Sequence, residues 1–409
     1  MPSLKRFFFQ ILVFLLPTQL AIHFWPEWAL VFGIRVDYLA PTLHLTDILA
    51  TLFLIASLAL PKIKLRLVRK SIFLGGVLAA FVLINIFVAT VSAAALLKWL
   101  KILELLALVF VVRNTKELRF REDFLRPLLF SSTLFSLIGL GQFVKGATIG
   151  GPLFFLGERT FNVQTPGISL LNLFGRDHLL PYSTFPHPNS LAGFLAVVFN
   201  LCFFQKPTLF SKAFNRLMFF ILLTTIVLTF SLAAWLSLAA VFFVFWLSKN
   251  KKFSFSKTSR LILPLVIVLS LFTGFLNFKE KSLPESFAKR FELAGASLKM
   301  FHKNFLVGVG AGNFIVNLPR FSDKPEVAWF LQPVHNIYLL TLAETGIIGA
   351  GLFMLFLKKT LLFLGKKAKP AIFFAFIFIL LVGSLDHYFL TLQQNLLLFS
   401  LVLGYSLRR

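Results

Sequence analysis

The 409-residue chain has one cysteine, only 16 acidic residues and 14% charged residues in all. Cys202 stands alone in the apolar run LCFF, which excludes a disulfide framework and a cysteine-built metal site. It reads as a small buried or lipid-facing residue. The scarcity of charge excludes more. Soluble domains carry about 25% charged and about 45–50% apolar residues, whereas this chain is 58% hydrophobic with a mean hydropathy of +0.85. An ordinary soluble enzyme, a disordered tail and a secreted disulfide scaffold are ruled out, and a polytopic membrane protein remains.

What the chain has in abundance is phenylalanine, 54 of them, and long apolar runs. Stretches long enough to cross about 30 Å of hydrocarbon fall at about 7–25, 41–60, 72–92, 93–112, 125–144, 187–204, 217–231, 233–248, 261–277, 336–357, 370–387 and 389–407, which makes twelve expected spans. With the N-terminus inside, the cytoplasmic segments 1–6, 61–71, 113–126, 205–216, 249–260, 358–369 and 408–409 hold 27 of the 41 Lys and Arg residues. The short outer loops hold almost none, Arg35 excepted. This repeats the positive-inside pattern at every crossing, so the net charge of +25 reflects topology and attraction to the inner leaflet rather than a nucleic-acid footprint. The first span follows Lys5 and Arg6 without a small-residue cleavage site and reads as an uncleaved helix. Both termini are expected in the cytoplasm.

The expected organisation is five spans over 1–144, an outer loop at 145–186, four spans over 187–277, a large outer loop at 278–335 and three spans over 336–409. The large loop holds eight basic against five acidic residues. Basic charge is normally depleted on the outer face, so the loop suggests anion binding. Phe287, Phe291, Leu298 and Phe301 recur near helical spacing, which predicts an amphipathic helix over the membrane or a cavity. Gly308, Gly310 and Gly312 let backbone approach a ligand closely, and Asn313 can hydrogen-bond it. A lone GxGxG without a preceding soluble strand does not define a nucleotide site. His335 and Asn336 stand where the loop re-enters the membrane; His335 suits a general base on a sugar hydroxyl, or equally an interfacial helix cap.

The run from Arg290 through FLVGVGAGNF to HNIYLLTLAETGIIG resembles the O-antigen ligase and polymerase superfamily, and STFPHPNSLAGFL at 183–195 resembles its shorter GTFxHPNxLAxFL element. The O-antigen ligase-related region would cover about 187–352. The resemblance implies an all-α polytopic glycosyltransferase of the C type. It would move a glycan from an undecaprenyl-pyrophosphate carrier to a glycan, lipid or protein acceptor at the extracytoplasmic face, with no metal and no cofactor. By this resemblance His335 would be the base and Arg290 would hold the pyrophosphate. The absence of a DxD pair from the outer loops agrees with a metal-independent reaction. Ligation and repeat-unit polymerisation share the motif. A lipid-linked-glycan flippase is the rival class, although no repeated halves with broken helices are evident. A glycan-lipid binder without turnover is a further alternative, because the family's SRGxW-like element reads Ser231-Leu232-Ala233-Ala234-Trp235, with Leu232 in the place of Arg.

The missing phosphate contact could come from Arg159, Arg176, Lys98 or Lys101. Lys98, Lys101 and Glu104 lie within an expected span, where each central charge costs about 2.5–3.5 kcal/mol. Snorkelling with pairing is one outcome, and a basic wall for the carrier is the other. His187 and Asn189 either line the entrance or cap a helix. The polar cluster Asp386-His387-Tyr388, with His387 as its candidate ligand, is either an interfacial anchor or a second wall of the site. Glu344 reads as a structural hydrogen-bonding partner among Gly346, Gly349 and Gly351.

Overall fold

The computed structural model describes residues 4–58, 69–173, 175–205, 209–248, 285–323, 329–367 and 369–408. The expected span 261–277, the inner segment 249–260 and the first residues of the large loop lie outside them, as does most of 61–71. The described chain is mostly helical, with α1 (Leu4–Phe14), α2 (Leu45–Leu58), α3 (Arg69–Phe87), α4 (Ser92–Asn114), α5 (Arg126–Lys145), α6 (Pro188–Phe203), α7 (Lys212–Leu228) and α8 (Leu232–Ser248). These are followed by α9 (Glu285–Lys303), α10 (Phe314–Phe321), α11 (Ile337–Lys367), α12 (Pro370–Gly383), the single turn α13 (Tyr388–Thr391) and α14 (Gln393–Ser406).

A helix thus stands at each expected span that falls within the described residues. Two helical stretches, Phe120–Lys145 and Ile337–Lys366, are by themselves long and apolar enough to cross a bilayer, and shorter apolar helices occupy five further positions. The first expected span is much shorter than its apolar run. α1 stops at Phe14, ahead of Pro17, which lacks the N–H a continuing helix would need. The chain then forms short antiparallel strands: β1 (Ala21–His23) pairs β4 (Thr42–His44) around the β2–β3 pair (Leu30–Val31, Ile34–Arg35). A third pair, β5 (Leu170–Leu173) and β6 (Arg176–Leu179), lies in the loop before α6.

α6 and α12 are the central pillars. Nearly every residue of both is buried, as expected for helices apolar on all sides. The two ends of the bundle differ in chemistry. At one end Asp123 accepts from Arg6 Nε (2.6 Å) and Gln10 Nε2 (2.7 Å), tying α1 to the start of α5. There Arg408 also donates to the carbonyls of Val112 and Thr115 at the C-terminus of α4, where the helix dipole favours a cation. The opposite end carries a second apolar cluster, in which Val31, Val36 and Leu39 of the strand segment pack with Leu293, Phe314 and Leu339. This cluster forms a cap over the helix ends.

Within α11 the helical ladder breaks at Gly346, whose φ is +62° and ψ −167°. The chain at 304–313 dips into the gap. Val309 N–H donates to Ala343 O (2.9 Å), Gly310 N–H to Glu344 O (3.0 Å), and Ile347 N–H to Phe305 O (2.9 Å). A helix broken at membrane depth is tolerated only where its freed backbone groups find such partners. Asn85 of α3, fully buried, completes the join: its amide donates to Val307 O (2.8 Å) and Glu344 O (3.0 Å), and its oxygen accepts from Ala311 N (2.9 Å) and Trp99 Nε1 (2.8 Å).

Candidate functional site

At the capped end a cavity of ≈ 490 Å³ opens between the start of α6, α9, the chain before α11 and the α12–α13 turn. Its walls include His187, Arg290, His335, Asp386 and His387. His335 is set in place by its neighbour. Asn336, buried, accepts from Tyr338 N (2.9 Å) and Leu339 N (3.0 Å) as the helix cap and donates to Ser384 O (3.0 Å). This is the capping role expected of Asn before a helix, and it engages both the oxygen and the nitrogen of the side chain in positioning His335.

The His335 ring lies between Phe330 (centroids 6.5 Å, stacked) and His387 (5.1 Å, edge-on), and its Nδ1 is buried without a hydrogen-bond partner among the described residues. Burial, only partly offset by the Asp386 carboxylate, pushes its pKa down to about 3. Burial likewise pushes His387 down to about 4 and lowers His187. All three rings are therefore neutral near pH 7. Asp386 is buried, which alone would raise its pKa, but His335, His387 and Arg290 outweigh burial and hold it below the ordinary carboxylate value. Its Oδ1 accepts from His387 N (2.8 Å) and its Oδ2 from Asn189 Nδ2 (3.4 Å).

Hydrogen bonds fix two of the tautomers. Asn189 N–H donates to His187 Nδ1 (3.1 Å), so the proton sits on Nε2, 3.1 Å from Ser169 Oγ. Thr391 donates its hydroxyl to His387 O (3.1 Å), so at 2.7 Å it accepts from His387 Nδ1–H. The lone pair of His387 is then on Nε2. Arg290, on α9, donates through Nη1 to Leu385 O (3.1 Å) and holds Nη2 4.0 Å from Asp386 Oδ2. Lys289 also lines the cavity, with its ammonium 5.1 Å above the Phe330 ring. The ligand atoms of His335, Asp386 and His387 lie within 4.8 Å of one another, close enough for a metal ion to be held.

The structure gathers His335, Arg290, His187, Asn189 and His387 in this one cavity, and makes the Asp386-His387 turn its second wall. It disposes of other expected ligands differently. Gly308 and Gly310 serve packing, not ligand approach: a Cβ on Gly308 would lie 2.4 Å from the backbone of Glu344 and Thr345, and one on Gly310 2.3 Å from Ala89 Cβ. Asn313 is fully buried and spends its side chain on Val91 N (2.7 Å), Val91 O (3.3 Å) and Ala311 O (3.0 Å), which leaves nothing for a substrate. Lys101 is not a free basic wall, because it is ion-paired with Asp47 and with Glu104 (2.9 Å). Arg176 is the exposed first residue of β6 and lines none of the cavities described. Leu232 begins α8 with its side chain mostly exposed and touches no wall of the site. The amphipathic helix is present as α9, but its buried stripe is Leu293, Ala296 and Met300, while Phe291 and Phe301 remain half-buried.

A second, larger cavity of ≈ 670 Å³ meets the first at Tyr38, Pro186, Gln332 and Leu392. It is lined by Lys98, Lys101, Arg159, Gly312 and Glu344, together with His23, Asp37 and His44. Lys98 donates to Leu390 O (2.7 Å). Glu344 accepts from Phe314 N (3.3 Å), the structural role its sequence setting suggests. Arg159 donates to Pro186 O (2.8 Å), beside the junction of the two cavities. Tyr38 stands at the same junction, edge-on to the His387 ring at 5.6 Å. Tyr38, Lys289 and Gln332 are cavity residues that sequence reasoning does not select, whereas Asp386 belongs to the Asp386-His387-Tyr388 cluster that it does.

Fold and site together define a mostly helical protein, with two helices long and apolar enough to cross a membrane among the described residues, and a histidine-rich, cation-edged cavity at one end of its bundle. Residues 217–354 match the O-antigen ligase family, which supports the O-antigen ligase superfamily for this chain. The matched stretch contains Arg290 and His335, while His187, Asn189, Asp386 and His387 are added to the site by the fold. No curated protein matches the chain. The match supports an O-antigen ligase or polymerase type of membrane enzyme, of the kind that builds cell-surface polysaccharide.

Proposed function

We propose that the protein transfers a glycan from an undecaprenyl-pyrophosphate carrier to an acceptor hydroxyl on the extracytoplasmic side of the cytoplasmic membrane. The observation that carries this reading is the placement of a neutral imidazole, His335, with its Nδ1 unbonded, against Asp386 and His387 in a cavity edged by Arg290 and Lys289. The acceptor oxygen attacks the anomeric carbon as its proton passes to His335, and the bond from that carbon to the pyrophosphate oxygen breaks. Charge then grows in two places. The departing pyrophosphate is met by Arg290, whose planar guanidinium suits phosphate oxygens, and the imidazolium on His335 is met by the Asp386 carboxylate. A base with a pKa near 3 is weak in the empty site, and the negative charge of the incoming carrier raises it toward the working range.

The carrier is already activated, so positioning, deprotonation and charge stabilisation suffice. The two cationic side chains supply the positive charge without a metal, and an ion on His335 would occupy the lone pair the base needs. The test is reconstituted protein with carrier-linked glycan and either a lipid acceptor or a second carrier-linked glycan, following release of free carrier. The reading predicts acceptor-dependent release, unchanged by a chelator. Release with the lipid alone makes it a ligase, and release with the second glycan makes it a polymerase. Carrier bound but never released under any condition overturns the reading in favour of a binder or flippase.

A further inference from the structure

Among the described residues, one group of metal-ligating side chains stands close enough to share an ion: a ligand atom from each of His335, Asp386 and His387 lies within 4.8 Å of the others. Two donors on a tetrahedral zinc ion stand about 3.4 Å apart at bond lengths of about 2.0–2.1 Å, so side-chain rotations of about 1 Å close the set. The surroundings already hold these donors as a metal site requires. The His387 Nδ1–H is given to the Thr391 hydroxyl at 2.7 Å, which orients the ring and leaves the Nε2 lone pair for a ligand. Asp386 Oδ1 is fixed by His387 N at 2.8 Å, while Oδ2 has only Asn189 Nδ2 at 3.4 Å and Arg290 Nη2 at 4.0 Å beside it. His335 Nδ1 is buried without a hydrogen-bond partner among the described residues. His187 stays outside the set, because its Nδ1 accepts from Asn189 N–H and its Nε2 lies against Ser169 Oγ. Neutral rings and an ionised carboxylate need lose no proton to take a cation.

We propose that His335, Asp386 and His387 bind a divalent transition cation, Zn²⁺ above all, and that the bound ion switches His335 off as a base. Metal binding stands on the geometry alone, and the loss of catalysis rests on the transfer reaction proposed above. Two imidazoles and one carboxylate suit zinc and its neighbours, whereas Mg²⁺ and Ca²⁺ call for oxygen donors. Three ligands leave a fourth position open to the cavity for water or a phosphate oxygen. The ion takes the lone pair of His335 that would otherwise accept the proton of the acceptor hydroxyl. Arg290 limits the affinity. Its guanidinium, 4.0 Å from Asp386 Oδ2, repels a second cation and competes for the same carboxylate. Binding is therefore reversible, and the site is inhibitory rather than a permanent metal centre.

The metal site is tested without turnover. Full-length protein in detergent, stripped with a chelator that is then dialysed away, is titrated with Zn²⁺ by calorimetry and with Co²⁺, whose visible absorption reports the donor set. One ion per chain is expected. The affinity should fall about tenfold or more in His387→Gln, and likewise in the nearly isosteric Thr391→Val, which removes only the orienting hydroxyl. It should be unchanged in His302→Gln, an exposed residue outside the cavity. Arg290→Gln should bind Zn²⁺ several-fold more tightly, an effect that damage to the fold would not produce. No saturable binding in wild type, or wild-type affinity in both His387→Gln and Thr391→Val, overturns the site. In the carrier-release assay, saturating Zn²⁺ should abolish release and a chelator should restore it; full release with zinc bound overturns the switch. Absence of release under every condition would instead sink the transfer reaction, while the titration still decides the metal site.

Discussion

Replacing Asn85 by leucine removes the polar join between α3, the in-dipping chain and the broken α11. The side chain makes four hydrogen bonds, with Val307 O, Glu344 O, Ala311 N and Trp99 Nε1. Side-chain hydrogen bonds in membrane proteins contribute about 0.6 kcal/mol on average and up to about 1.7. The four together contribute about 2–3 kcal/mol, and orphaning buried backbone groups adds to the loss. A destabilisation of about 2–5 kcal/mol is therefore expected. Asn85→Asp, protonated in so apolar a setting, keeps an acceptor and one O–H donor in place of the two amide donors, and should fall between wild type and Asn85→Leu. The assay is thermal unfolding in detergent followed by tryptophan fluorescence, with limited proteolysis around 304–313 as a local readout. If Asn85→Leu melts with the wild type and shows no new cleavage, the reasoning that Asn85 secures the broken helix is wrong.

Gly346→Ala should be strongly destabilising: φ is +62° and the new Cβ would lie 2.4 Å from Leu306 C and O, backbone atoms that cannot swing aside. Gly351→Ala, with no atom within 4 Å of its Cβ, should be neutral or slightly stabilising; equal melting temperatures for the two variants would contradict the packing account. Acid should destabilise the protein. His387 is held neutral with a pKa of about 4 against about 6.5 when unfolded, so between those values the unfolded chain binds more protons. Its contribution is complete above about pH 6.5 and shrinks as pH falls, by about 2 kcal/mol at about pH 5. His387→Gln should therefore lose less stability than wild type between about pH 7.5 and about pH 5, and identical losses would count against a neutral buried His387.

The site is more legible in the sequence than its supports. His335, His187 and His387 are titratable residues at the ends of apolar runs, where desolvation makes such groups costly unless they are paired or used, Arg290 is a cation of the basic loop between two such runs, and the fold brings them together. Gly308 and Gly310 mislead because glycine spacing records a close approach without saying what approaches; here it is the backbone of α11 and the side chain of Ala89. Asn85 gives no signal, since a single amide in an apolar run has neither periodicity nor charge, and the backbone it joins lies more than 200 residues away. Lys101 can be read as a wall or as a pair, and only the approach of Asp47 from α2 decides it. The buried stripe of α9 differs from the expected one because the helix is clasped on its α11 side, where Ser297 Oγ donates to Leu339 O (2.8 Å).

The most direct measurement of the central claim compares His335→Ala with wild type for both carrier binding and carrier release in the same reconstituted preparation. The account predicts that His335→Ala binds carrier-linked glycan about as tightly as wild type, because Arg290 and Lys289 remain. Release of the free carrier should slow by about 10²-fold or more, the scale of a lost general base. Release at the wild-type rate from a folded His335→Ala protein would contradict it.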